Sequence, residues 1–116
     1  MNLETFLNTV ETDIESLEFN DLMGVIETNY NFTPTQFTNG ELLNKAGQND
    51  GSCKLFSFAK AYQLTEQQTL ACFGTYYRDD VLKHPDEDNH QNIRNFMKTG
   101  WAGIQFDADA LLIKPA

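Results

Sequence analysis

At Tyr30 the spacing of apolar residues switches from helical to extended, and this switch restricts the chain to folds that pack helices on a sheet. Before it, Leu3, Phe6, Leu7, Val10, Ile14 and Leu17 recur at helical intervals and leave Glu4, Glu11 and Glu15 outside the stripe. A second stripe follows in Phe19, Leu22, Met23, Ile26 and Tyr30, with Asn20 or Asp21 as its N-cap. From Tyr30 to Thr38 aromatic and β-branched residues dominate, so the segment reads as extended. Pro34 has no ladder donor and belongs at a sheet edge or a strand start. Asn39-Gly40 supplies a turn, because both residues tolerate positive φ, and a loop is expected from Asn44 to Ser52.

Helical spacing then returns. A third helix is expected from Ser52, with Leu55, Phe56, Phe58, Ala59 and Tyr62 as its apolar residues. Thr65 and Gln68 form a capping box for a fourth, which carries Leu70, Phe73, Tyr77 and Val81 and ends at or before His84 because Pro85 follows. Asp88 and Gln91 form another such pair for a fifth, which carries Ile93, Phe96 and Met97 and stops at Gly100. Trp101 reads as a core plug. Ile104-Gln105-Phe106 and Leu111-Leu112-Ile113 flank Asp107-Ala108-Asp109 as the strands of a short hairpin. The predicted architecture is α+β. A single domain over residues 1–116 packs about five helices on a small mixed or antiparallel sheet, built from the 31–38 segment and the C-terminal strands. The nine Phe, four Tyr and one Trp give that domain bulky core material.

The charge of −9 is unevenly placed. Eight acids and no base precede Lys45, so the N-terminal third holds almost all of the excess. Nucleic acid and anionic membranes are excluded as partners, since binding to either draws on basic side chains. A basic protein partner is the one the charge favours. Cys53 and Cys72 are too few for a disulfide scaffold. With no signal-peptide pattern at the start and no apolar run of membrane-spanning length, the expected location is the cytoplasm.

Four stretches, YNFTPTQFTNG (30–40), AGQNDGSCKLFSFA (46–59), TLACFGTYYRDDVLKHP (69–85) and HQNIRNFMKTGWAGI (90–104), resemble the HopJ type III effector proteins. The resemblance covers most of the chain from Phe19 onward. It implies a protein injected into host cells by plant-pathogenic bacteria, so secretion by a type III system accompanies the cytoplasmic expectation. It implies no catalytic motif and assigns no site residue.

The residues themselves offer several kinds of chemistry. Cys53 opens the third helix after Gly51-Ser52, where backbone N–H groups and the helix dipole lower a thiol pKa. His90 or His84 would be the base and Asn92 or Asp88 its orienting partner, so the thiol reading rests on Cys53, His90 and Asn92. Lys54 and Gln48 depart from the papain-like pattern that this order resembles. The same loop also reads as an anion or small-ligand site formed by Gly47, Gln48, Gly51, Ser52 and Lys54, although no Walker A ending is present. His84, His90 and the carboxylates between them lack any metal-site spacing, so no metal is assigned and no cofactor is called for. Arg94 suits either a carboxylate anchor for the fifth helix or the bidentate grip of an acidic ligand. The leading expectation is an interaction domain; the alternatives are a small thiol hydrolase or transferase centred on Cys53, which demands an exposed thiol, and an anion-binding module at the 47–54 loop.

Overall fold

Asn2 starts the first helix: its side-chain oxygen accepts the Thr5 N–H at 2.7 Å, and α1 runs Leu3–Thr12 with Phe6 and Val10 buried. The computed structural model describes residues 1–115, so the last residue of the expected domain lies outside them. A short 3₁₀ turn, Ile14–Ser16, leads to α2, Phe19–Asn29. The cap of α2 is Glu18 rather than Asn20 or Asp21. The Asp21 carboxylate accepts the Glu18 N–H at 2.9 Å, and the helix starts two or three residues earlier than the sequence suggests.

The extended segment after α2 is not one strand but two. β1 (Tyr30–Phe32) and β2 (Phe37–Asn39) are separated at Pro34, where Thr35 Oγ1 donates to Thr33 O at 2.8 Å, and they enter different sheets. β2 turns through Gly40, at φ +61°, into β3 (Leu42–Asn44), a strand for which the sequence offered no expectation and which reaches the first residue of the expected loop. Two C-terminal strands, β4 (Ile104–Phe106) and β5 (Leu111–Ile113), complete the sheets. They do not pair with each other as a hairpin. β4 lies antiparallel to β2, with Phe37 opposite Phe106, whereas β5 lies antiparallel to β1, with Tyr30 opposite Ile113. The sheets are therefore β3-β2-β4 and β1-β5, all antiparallel.

Helix α3 spans Asp50–Ala61 and α4 spans Glu66–Ala71, the latter begun by the expected Thr65/Gln68 box with bonds of 2.9 and 3.0 Å. α4 is far shorter than its stripe. It ends at Ala71, and the chain then turns at Gly74, at φ +63°, where a Cβ would lie 2.8 Å from the Cα of Glu18. Only glycine fits that turn against the start of α2. A π-helical turn, Tyr76–Val81, follows. α5 runs Gln91–Thr99 and ends at Gly100, at φ +58°, as expected. Its N-cap is His90 and not Asp88, since the Gln91 side chain bonds the Asp88 carbonyl instead of closing a reciprocal box. Phe56 centres the core, its ring 5.0 Å from Phe96, 5.6 Å from Phe73 and 6.0 Å from Phe37. Trp101 packs beside it at 6.4 Å and donates its indole N–H to Leu64 O at 3.0 Å. The result is one compact α+β domain.

Candidate functional site

The starts of α3 and α5 open onto the same cleft. Each is preceded by a residue in the left-handed region, Asn49 at φ +54° and His90 at φ +52°, and neither side chain caps its helix. A side chain in that region carries a steric cost which the surrounding structure must offset. The first helical bonds run from Cys53 N to Asn49 O and from Ile93 N and Arg94 N to His90 O. The N–H groups ahead of these, among them Gly51, Ser52 and Asn92, have no acceptor within their helices.

The space between them is about 430 Å³, walled by Gly51, Ser52, His90 and Asn92 and by the rings of Phe19 and Tyr76. Gly51 is required for its shape. A Cβ there would sit 2.7 Å from the edge of the Phe19 ring, which stacks on Phe73 and meets Tyr76 edge-on at 5.5 Å.

Four asparagines hold the two helix starts against the β2–β3 hairpin. Asn92 Oδ1 accepts from Asn39 and Asn44, each at 3.1 Å, and Asn92 Nδ2 donates to Asn44 Oδ1 at 2.9 Å. Asn39 Nδ2 also reaches the Asn92 carbonyl at 2.7 Å, and Asn49 Nδ2 reaches Asn44 Oδ1 at 2.7 Å. Asn39 and Asn44 are fully buried, so these bonds are made away from water, where an unmade one is costly.

His90 has fixed surroundings. Its Nε2 lies 3.0 Å from Asp80 Oδ2, and its ring lies 5.3 Å from that of Tyr76. Asp80 and Tyr76 both come from the π-helical turn, an element that recurs at functional sites. A second carboxylate, Asp50, stands in the first turn of α3 with its Oδ1 buried and free of any hydrogen bond among the described residues. The cleft thus combines aromatic walls, two helix starts with unpaired amides and, through His90, the carboxylate of Asp80.

Cys53 is elsewhere. It is 1% exposed and its thiol donates to Thr35 O at 3.5 Å, and burial raises its pKa. The helix start therefore does not depress this thiol pKa as expected: Cys53 lies on the buried face of α3, and desolvation raises it. Among the described residues no hydrogen bond joins Cys53 to His90, whose partner is Asp80, and Asn92 serves the asparagine cluster. His90 and Asn92 do come together with Gly51 and Ser52, but around the cleft and not around the thiol.

The remaining loop candidates separate. Gly47 is exposed in the turn, and the Gln48 side chain accepts the Lys45 N–H at 3.2 Å, so both serve the loop itself. The Lys54 ammonium, the cation that an anion site would use, lies 4.9 Å above the Phe32 ring. His84 faces Glu87 at 3.9 Å while His90 faces Asp80, and the described residues hold no group of three metal-ligating side chains. The sequence offers Tyr76 and Tyr77 either as pocket lining or as core and rim, and Tyr76 lines the cleft; Phe19 and Asp80 are not marked in it as site residues. Another signal that marks the neighbourhood is the recurrence of asparagine at 39, 44, 49 and 92.

The model of the HopJ type III effector protein family matches residues 3–111, nearly the whole chain. The chain belongs to that family. A solved structure similar to this HopJ domain, described as a protein of unknown function, VPA0580, shares 54% identity. The likeness covers 98% of this chain and 95% of that one, with a TM-score of 0.96. No curated protein sequence matches. No helix among the described residues of the HopJ domain is long and apolar enough to cross a membrane.

Proposed function

We propose that this HopJ domain is an interaction module that holds a short basic segment of a partner protein in the cleft between α3 and α5. The observation that carries this reading is the convergence of two uncapped helix starts on one aromatic-walled cleft. The free N–H groups of Gly51, Ser52 and Asn92 suit peptide carbonyls, which are neutral acceptors. Asp80, bonded to the cleft-lining His90, favours a positive side chain, and Tyr76 offers it a ring face. The net charge of −9 and the exposed Glu4, Glu11 and Glu15 on the N-terminal turns draw in a basic partner. Buried Cys53, with its raised pKa, supports a binding role over thiol catalysis. Export by a type III system, as the family description suggests, belongs to the same proposal and makes the partner a host protein.

The test is a titration of the labelled domain with short peptides of matched length, basic, neutral or acidic, followed by amide NMR. Basic peptides should shift Gly51, Ser52, His90 and Asn92 saturably, and Tyr76→Ala, at an exposed ring, should weaken them several-fold. Equal binding of acidic peptides, or shifts that spare the cleft, would exclude the reading.

A further inference from the structure

Arg94 is the buried cation for which the described residues supply no carboxylate. It is 9% exposed, yet its acceptors are all neutral: Asn89 O at 2.6 Å, Asn89 Oδ1 at 2.8 Å and Pro85 O at 3.4 Å. Among the described residues it enters no ion pair. The carboxylate anchor expected from the sequence is therefore replaced by carbonyls of the 85–89 loop. Those bonds use three of the five N–H donors of a guanidinium and leave two unspent. A guanidinium does not lose its charge inside a protein, and buried charges are normally paired.

Arg94 also lines a groove of about 530 Å³, on the side of α5 that carries Met97 and Lys98. Leu82 and Pro85 form the facing wall. Leu82 and Met97 are 48% and 45% exposed, so large apolar side chains lie open beside the unneutralised cation. Glu87 and Asp88 stand at the groove as exposed carboxylates, and the chain as a whole is strongly acidic. A simple anion would find little net attraction there. A carboxylate joined to an aliphatic tail would gain both the charge and unspent N–H groups of Arg94 and the apolar walls.

We infer that this groove is a binding site for an aliphatic monocarboxylate of medium chain length, the carboxylate on Arg94 and the tail between Leu82 and Met97. It is separate from the cleft, with which it shares only Gln91. Its ligand is opposite in charge to the peptide proposed there, so the two readings fail independently.

The experiment titrates the full chain with sodium octanoate, octan-1-ol and sodium acetate, read by amide and arginine Nε–H NMR. Octanoate should saturate and shift Leu82, Met97 and the Arg94 Nε–H. Octanol should bind about tenfold more weakly or worse, for lack of the charged contact, and acetate should not saturate. Arg94→Lys should weaken octanoate. Because that change also loosens the 85–89 loop, Leu82→Asp and Met97→Asp provide the second arm. Both positions are exposed, so the fold should survive while a new carboxylate abolishes binding. Octanol binding as tightly as octanoate, acetate saturating the same signals, undiminished binding by the Asp variants, or no octanoate shift would each overturn the inference.

Discussion

Replacing Asn92 with alanine tests how the cleft is held open. The asparagine cluster gives unequal consequences for the atoms left behind. Asn44 Nδ2 has Asn92 Oδ1 as its one acceptor among the described residues and becomes a stranded buried donor, at a cost of about 1–3 kcal/mol. Asn39 Nδ2 keeps the Asn92 carbonyl at 2.7 Å, and Asn44 Oδ1 keeps Asn49 Nδ2 at 2.7 Å, so each of those loses only a shared bond of about 0.5–1.5 kcal/mol. The sum is on the order of 3 kcal/mol, a large share of the stability of a small domain. Urea unfolding followed by far-UV circular dichroism and by Trp101 fluorescence measures it, and the slope m should stay constant. The double variant Asn44→Ala/Asn92→Ala removes the reciprocal pair together. It should cost about 1–2 kcal/mol less than the two single changes added, because neither amide is then stranded. A loss below about 1 kcal/mol for Asn92→Ala, or strict additivity in the cycle, would refute the claim that these amides depend on one another.

Phe6 is fully buried with its ring 5.6 Å from Phe58, so Phe6→Ala should lower unfolding free energy by about 3–5 kcal/mol in the same urea assay. Both thiols should react slowly with iodoacetamide in the folded protein at neutral pH and quickly in urea, and rapid native labelling of Cys53 would contradict its burial. Burial pushes the Cys72 pKa from 9.0 up to about 12, so its contribution to stability is complete below pH 9 and is lost as pH rises from about 9 to about 12. Cys72→Ala should flatten that part of the stability profile, and an unchanged slope would count against the assignment. Reversing Glu4, Glu11 and Glu15 to Lys should leave stability within about 0.5 kcal/mol while weakening capture of basic peptides, most strongly at low salt.

Local signals were legible in the sequence, and long-range ones were not. The Thr65/Gln68 box, the Gly40 turn and the stop at Gly100 follow from a few neighbouring residues each, and all three occur. The pairing of β4 with β2 and of β5 with β1 depends on partners some seventy or eighty positions away, and three-residue strands carry too little pattern to choose them. The early end of α4 was not legible either. Phe73, Tyr77 and Val81 keep a helical period, but α4 ends at Ala71 and the chain then turns at Gly74, which packs against Glu18. For the site, His90, Asn92, Gly51 and Ser52 were recognised as chemistry-bearing, and they do share one cleft. Cys53 was grouped with them because it follows a helix start, although its spacing from Phe56 places it on the buried face of α3. Asp80 is not legible as a site residue because a π-helical turn breaks the period by which neighbours on a helix are read.

The most direct test of the binding cleft is a set of intermolecular nuclear Overhauser effects between the labelled domain and a bound lysine-containing peptide. The account predicts contacts from the lysine methylenes to the Tyr76 ring and from the peptide backbone to the amides of Gly51, Ser52 and Asn92. Contacts confined to the acidic turns around Glu4, Glu11 and Glu15, with none to Tyr76 or Gly51, would contradict it and make the cleft a bystander.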